Sequence, residues 1–342
     1  MRYYDLRISN AAGQVYQPAA SGRFALVRSG TSFTSHPNNG IADPGALNIE
    51  ADVITANANA PQGNSHIKVS GVGLGMISQA SDLNGAAFTL SAGMRPGLPL
   101  ATAQAGQAGI IAQGSVFAAY GNWQGPEQSL DLIVNALTLK TDQPIVLSWK
   151  AGTPLASALA ATLSQAFPKF KQDIKIATLV MPNDEGGLYD NFWQFAGYLN
   201  GLTQVKGVAT YGQNYPGVQI TFVGSTVLAY DTTVPIAPKM IAFQDLIGQP
   251  TWIEPQTVSF KTVLRSDLAP GSQIVFPPGA VQSPYAQTTP AAAIPGVAAA
   301  SKTTFQGKFF IGDVHHYMNF RQADGDSWST VFTASPISLA GP

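Results

Sequence analysis

Apolar residues recur at helical spacing in only two long stretches of this chain, and both lie in its middle. Leu155, Ala158, Leu159, Thr162, Leu163 and Ala166 follow the three-and-four spacing of one buried stripe. Thr153 and Pro154 before them suit an N-cap and a first helical position, and Pro168 stops the pattern. Leu188, Phe192, Phe195, Ala196 and Leu199 line one side of a second helix over 188–199, with Asn200-Gly201 as its C-cap. Residues 174–180 read as a strand between the helices, and 207–211 with 218–223 read as a hairpin after them. The fold is thereby constrained to one α+β block, about 140–235, set between two regions that must be built otherwise.

Those flanking regions alternate. Tyr4, Leu6 and Ile8 share a face, Leu47, Ile49 and Val53 belong to another extended stretch, and 66–70 and 85–93 alternate again. Residues 74–83, where Ile77, Ala80 and Leu83 share a face, read as a short helix or turn closing one end of a barrel. A polar linker over 56–65 and a Gly- and Gln-rich loop over 101–109 interrupt the strands, and the latter also suits an oligomer contact. From about 236 the pattern returns, with strands at Val258, Phe260 and Val263-Leu264, then 274–276, 309–314 and 328–332. A Pro- and Ala-rich insertion, 277–301, is loop in composition. The reading is a mainly β chain with an α+β middle: a first tube-like β-barrel over 1–139, an intermediate domain over 140–235 and a second barrel over 236–342.

Charged residues make up 11% of the chain, against roughly 25% in ordinary soluble domains. A surface this poor in charge suits extensive protein–protein burial, although a secreted β protein can share the composition. The 18 basic residues form no patch against 19 acidic ones, which argues against sequence-specific nucleic-acid binding. Absence of cysteine excludes disulfides and thiolate metal sites. The first residues alternate instead of forming an apolar signal core, and no segment has the roughly 20 apolar residues of a membrane helix, so the chain reads as soluble and made without export.

Candidate chemistry is thin. His315-His316 stands near Asp313, Asp324 and Asp326, but adjacent side chains on a strand point to opposite faces and do not share one ion. Asp324-Gly325-Asp326-Ser327 lacks the ligand spacing of a calcium loop and reads as a hairpin turn with Gly325 at positive φ. Gly71, Gly73 and Gly75 follow a strand, but the third glycine of a dinucleotide fingerprint falls one residue early. Asp184-Glu185 and Asp52 are the acids from which a paired-carboxylate site would have to be built, and they read as solvated turns. Trp149, Trp193, Trp252 and Trp328 read as core residues before sugar platforms. His36 and His66 are the remaining histidines, and no nucleophile elbow, zincin motif or P-loop occurs. The reading is no enzyme, no catalytic or metal residue and no cofactor.

Several segments carry a family likeness. Ile247-Gly-Gln-Pro-Thr-Trp-Ile-Glu-Pro255 resembles a short helix leading into a strand, and Val263-Leu-Arg-Ser-Asp-Leu-Ala-Pro-Gly-Ser-Gln-Ile-Val275 the hairpin after it, in baseplate hub proteins of contractile-tailed bacteriophages. Gly307-Lys-Phe-Phe-Ile-Gly-Asp-Val-His-His316 with Trp328-Ser-Thr330 resembles the closing strands of that family's second barrel, past a longer hairpin. Ala151-Gly-Thr-Pro-Leu-Ala-Ser-Ala-Leu159 resembles the opening of its intermediate domain. Leu83-Asn-Gly-Ala-Ala-Phe-Thr-Leu-Ser-Ala-Gly-Met94 and Gly121-Asn-Trp-Gln-Gly125 are similar to its tube-barrel elements, while 277–301 has no counterpart.

The resemblance implies a structural virion protein of the tail baseplate, made in the host cytoplasm. Three chains would present six barrels in a ring, joining the six-fold tail tube to the three-fold central spike. Its implied partners are further copies as a homotrimer, tail tube proteins, the central spike protein and other baseplate proteins. Genome DNA would pass through a channel without sequence-specific binding, so the channel wall is expected to be neutral to acidic. The alternatives are a secreted carbohydrate-binding or carbohydrate-active β protein, and another capsid or tail component.

Overall fold

The structure, a computed structural model, describes all residues except 38–40, 56–64, 96–106, 136–143, 169, 213–214, 224–225, 235, 255–256, 277–304, 306 and 338–342. The first part supplies β1 (Arg2–Ser9), β2 (Val15–Pro18), β3 (Phe24–Val27), β4 (Phe33–Thr34), β5 (Asn48–Thr55), β6 (Ser65–Ser70), β7 (Ala87–Met94), β8 (Gly109–Gln124) and β9 (Glu127–Asn135). Between β6 and β7 lie α1 (Leu74–Ile77) and a 3-10 turn, Ala80–Leu83, in keeping with the short helix or turn read there. The middle supplies β10 (Ile145–Trp149), α2 (Leu155–Ala166), β11 (Lys171–Lys175), β12 (Glu185–Tyr189), α3 (Phe192–Tyr211), β13 (Gln219–Val223) and β14 (Thr226–Tyr230). The last part supplies β15 (Lys239–Met240), β16 (Thr251–Glu254), β17 (Thr257–Val263), β18 (Gln273–Val275), β19 (Phe309–Asn319) and β20 (Trp328–Pro336).

The chain is mainly β, and its two ends share one sheet. The strand order is β16-β17-β20-β19-β5-β6-β9-β8-β7-β1-β2-β3, with β15, β18 and β4 branching from it. The joint is β19 on β5, antiparallel from Val314↔Thr55 to Asn319↔Glu50. β19 serves two neighbours along one side: its first residues pair with β18 and its last six with β5. A register shift between Ile311 and Asp313 bends it between the two tasks. β8 also has two neighbours, pairing with β7 through 109–115 and with β9 through 115–124, with a second shift at Val116/Ala118. Among the described residues the pairing does not close on itself, so two closed barrels are not seen; the flanking regions meet edge to edge.

Three apolar clusters lie within this frame. One gathers Tyr4, Leu6, Ile49, Val53, Ile67, Leu90, Leu130 and Leu132, and takes in Leu264, Met318 and Trp328 from the far end of the chain. A second is confined to the middle, around Trp149, Leu159, Phe192, Phe195 and Ile220. A third gathers Val258, Phe260, Ile274, Phe309, Val314 and Phe332. The first and third press on one face of the same sheet, because the period-2 pattern of every strand from β17 to β9 puts its apolar residues there.

The middle departs from its sequence pattern in three ways. α2 buries the expected stripe, but Pro154 is its N-cap and its last residue is Ala166. The second helix starts later and runs far longer than 188–199. Residues 185–189 are strand β12, Asn191 caps α3 by accepting from the Gln194 N–H at 3.0 Å, and the helix passes through Asn200-Gly201 to Tyr211. Asn200 does not end it because its amide is held by the carbonyls of Pro216 and Val218. Residues 207–211 are thus helical, and the hairpin is β13 with β14. Gly207 is needed there, since a Cβ would stand 2.3 Å from the Tyr215 ring. In the last part, β17 pairs with β20 and β18 with β19, so 263–275 is a connection between separate strands and not a hairpin.

Candidate functional site

The strands from β17 to β9 compose one continuous face opposite the two cores. Alternation from β17 to β9 places Lys261, Asp313, His315, Tyr317, Glu50, Asp52, His66, Lys68, Asp131 and Glu127 on it. The carboxylates of Glu50, Asp52, Glu127, Asp131 and Asp313 outnumber the amines of Lys68 and Lys261, so this face is acidic.

The acids are tied into ladders along the hydrogen-bonding direction. His315 Nε2 meets Asp52 Oδ1 across the β19–β5 joint, and the His315 ring lies 4.0 Å from that of Tyr317. One strand further, His66 Nε2 lies 3.0 Å from Asp131 Oδ1, and the other Asp131 oxygen accepts from Asn122 Nδ2 and Ser129 Oγ at 2.9 Å. Thr333 Oγ1 donates to Asp313 at 2.9 Å. Apart from the Ser129 bond, which lies within β9, these contacts cross strands and brace the sheet, and the carboxylates of Asp52, Asp131 and Asp313 are each engaged.

Among the described residues, the two ends of this stretch of sheet have no further strand beside them. β16 has β17 on one side only, and the outer half of β8 has β9 on one side only. The β8 edge is covered near its start, where Val116 N–H donates to Ala86 O and Ala119 N–H to Asn84 Oδ1, both at 2.8 Å. Beyond that it is bare and apolar: Phe117 is 69% exposed and Trp123 64%, with Tyr120 exposed between them. β8 carries no charged residue along its 16 positions. Near the opposite edge Ile253, Phe243 and Met240 are exposed. Natural edge strands are usually blunted by charge or cover, and this one is not.

Behind the sheet, the halves are locked by a buried ionic network that sequence reading did not find. Arg265, 3% exposed, binds Asp267 with Nε at 2.6 Å and Nη2 at 2.7 Å, and Asp245 with Nη1 at 3.1 Å. Asp245 also accepts from the buried Gln107 at 2.9 Å, and Ser266 N–H donates to Gln107 O. Burial opposes ionisation of Asp267, but Arg265 and Lys239 outweigh it and hold the carboxyl below its usual range. Asp245 is pushed up by burial, against Arg265. In a chain with so few charges, the Arg265–Asp267 spacing was the one available hint.

The remaining candidates fall into place as follows. His315 and His316 do project to opposite faces: His316 is 3% exposed in the core-facing row, with Nδ1 2.9 Å from Thr330 Oγ1. Asp326 pairs with Lys261 at 3.1 Å, and Asp324 accepts from Ser327 N–H at 2.6 Å, which shapes the β19–β20 turn. Gly325 is not among the residues at positive φ, so the turn is held by Asp324 and not by a left-handed glycine. Asp184 binds Lys150 and the Ala151 N–H, while Glu185 accepts from Tyr198 instead, so the two adjacent acids serve different contacts. Gly73 and Gly75 pack against Gly22, where a Cβ on Gly75 would stand 2.6 Å from its carbonyl oxygen; the triplet serves close packing of α1. His36 Nδ1 bonds Ser35 Oγ at 2.7 Å. Trp149 and Trp328 are core residues and Trp252 stacks on Phe305, but Trp193 lies 53% exposed on α3. Among the described residues no three His, Asp or Glu side chains converge as metal ligands, and no helix is long and apolar enough to cross a membrane.

No family model and no curated protein matches the sequence. Among solved structures the chain is similar to a tail protein from Neisseria meningitidis MC58, at 9% identity and a TM-score of 0.47 over 98% of this chain and 96% of that one. It is also similar to the 43 kDa tail protein of prophage MuSo2 from Shewanella oneidensis, at 7% identity and a TM-score of 0.49 over 98% and 97%. A Francisella PdpA–VgrG complex is similar at 8% identity and a TM-score of 0.44, over 100% of this chain and 58% of that one.

Proposed function

We propose that this chain is a structural component of a contractile tail: a trimeric baseplate hub that joins the six-fold tube to the three-fold spike and lines the channel between them. The observation that carries the reading is the β19–β5 joint. It makes one sheet out of the first and last regions, so a single chain offers two wall segments side by side. The sequence resemblance assigns those segments to 1–139 and 236–342, each the counterpart of one tube subunit, with 140–235 between them.

Three features support this reading. Among the described residues both ends of the shared sheet lack a further strand, and their exposed residues include the apolar Phe117, Tyr120 and Trp123 at one and Ile253 at the other. Unlike edges that meet between copies form a heterologous contact, which closes into a ring when the rotation per copy allows it. Two wall segments per chain then make six from three chains. The acidic face opposite the cores suits a channel wall, because dense lysine and arginine would retain a polyanion through phosphate contacts.

Tail particles assembled with a tagged copy of this chain test the proposal. Tag density is expected in three copies where tube meets spike. Density repeating along the tube, or lying on the capsid, would contradict it.

A further inference from the structure

Part of the shared sheet is one arrangement used twice. Its order from one end is β16-β17-β20-β19, followed by β5-β6-β9-β8, and the two sets match in chain order as well as in space. β18 lies beside the first part of β19 as β7 lies beside the first part of β8. Each long strand then shifts register by one residue, at Ile311/Asp313 and at Val116/Ala118, before Val314↔Phe332 and Ala119↔Leu132. Val314, His315 and His316 therefore correspond to Ala119, Tyr120 and Gly121. The pairs Lys261↔Val331 and Lys68↔Asp131 bring Lys261 to the place of Lys68. The pairs Thr251↔Ser259 and Asp52↔His66 likewise bring Thr251 to the place of Asp52, and Trp252 to that of Val53. Where β19 goes on to take β5, the equivalent half of β8 has no further strand among the described residues, and neither has the outer side of β16.

We propose that β8 of one copy pairs antiparallel with β16 of the next in the register that β19 uses on β5. Tyr120 then stands opposite Ile253, Gly121 opposite Trp252 and Asn122 opposite Thr251, after His315↔Ile54, His316↔Val53 and Tyr317↔Asp52. The inference rests on the hub reading and adds to it a contact with a defined register. Backbone polarity agrees with it. Ala119 N–H leaves β8 toward Asn84 Oδ1, so Gly121, two residues on, also turns its N–H and C=O to that side. Lys261 O accepts from Ile247 N–H, so Ser259 bonds Thr251 inward and Trp252 faces out. Gly121 and Trp252 thus each bring a donor and an acceptor to the position where the register joins them. Tyr120 and Ile253, 44% and 54% exposed, form an apolar cross-strand pair. No like charges meet, since β8 has none and β16 only Glu254. Asn84 holds the place that Thr55 takes beside Val314, so the pairing starts beyond Ala119. Because the two edges are unlike, the contact is heterologous and closes only as a ring.

The chain has no cysteine, so disulfide trapping reads the register against a clean background. Tyr120 with Ile253, and Asn122 with Thr251, would be non-hydrogen-bonded pairs, whose Cα atoms lie about 4.5 Å apart and within disulfide range. Full-length Tyr120→Cys and Ile253→Cys chains, mixed, assembled with tube and spike partners and oxidised, are expected to give a covalent dimer that neither variant gives alone. Asn122→Cys with Thr251→Cys should do the same and guards against a fault in one variant. Tyr120→Cys with Thr251→Cys is diagonal and should link roughly ten-fold less, its Cβ atoms being too far apart. Three-fold particles in which neither in-register pair links, or in which the diagonal pair links as well, would overturn the register and leave the hub reading standing. Chains that stay single beside those partners would overturn both.

Discussion

Arg2 reaches from the first strand to the last hairpin and ends among carbonyl oxygens. Its guanidinium donates to Asn319 O at 2.9 Å, to Asp324 O at 2.7 Å and to Gln322 O, and stands over the Trp328 ring. Arg2→Ala is expected to lower stability by about 1–3 kcal/mol in denaturant titration, since several charged hydrogen bonds that tie β1 to the last hairpin are lost. Arg2→Lys should recover little of it, because an ammonium cannot span a fan of carbonyls. The pH response belongs at the same scale. His316 has its pKa lowered to about 3 by burial, so between 6.5 and that value the unfolded chain binds a proton that the folded chain refuses. Its contribution is complete above 6.5 and is lost as pH falls, about 2–3 kcal/mol by pH 4.5. Denaturation midpoints of the wild type should fall over that range more steeply than those of His316→Gln. Asp267, held low by Arg265 and Lys239, adds loss in the same sense below its unfolded value. Beyond the Arg265–Asp267 spacing these partnerships were not legible beforehand: Arg2 and Gln322, or Gln107 and Asp245, are joined only by topology.

At the scale of elements, local pattern foretold most strands, because each buries one face and Tyr4, Leu6 and Ile8 or Val258 and Phe260 announce it. It failed where a partner overrode a local signal. Asn200-Gly201 looks like a helix end, but the β13 approach holds Asn200 and the helix continues. Pro270-Gly271 looks like a hairpin turn; Gly271 does have a φ of 90°, yet the strands on either side bond elsewhere. Gly121 is another such position. A Cβ there would lie 2.3 Å from Ile77 Cγ2, so Gly121→Val is expected to lift α1 from β8 and cost about 1–3 kcal/mol, read as a lowered denaturation midpoint. The edge of β8 can be tested without touching a core. Phe117→Lys with Tyr120→Lys, both exposed, should leave the monomer's midpoint within about 0.5 kcal/mol and abolish self-association in sedimentation. Unchanged association would mean that this edge is not an interface.

For the whole molecule, the decisive feature is that two distant regions share a sheet, with Leu264, Met318 and Trp328 of the last part packed into the core of the first. Sequence periodicity revealed the return of strands after the helical block, but not that β19 would pair with β5, since an edge-to-edge joint leaves no trace in either pattern. It did reveal the shortage of charge, which is visible in a β8 that carries no charged residue. Cryo-electron microscopy of the purified protein with the tube and spike partners proposed for it tests the proposed function most directly. The account predicts a three-fold ring, with β8 of each copy beside β16 of the next and the face bearing Asp52 and Asp131 turned to an open axis. A monomer that stays single beside those partners, or a ring of six identical chains, would contradict it.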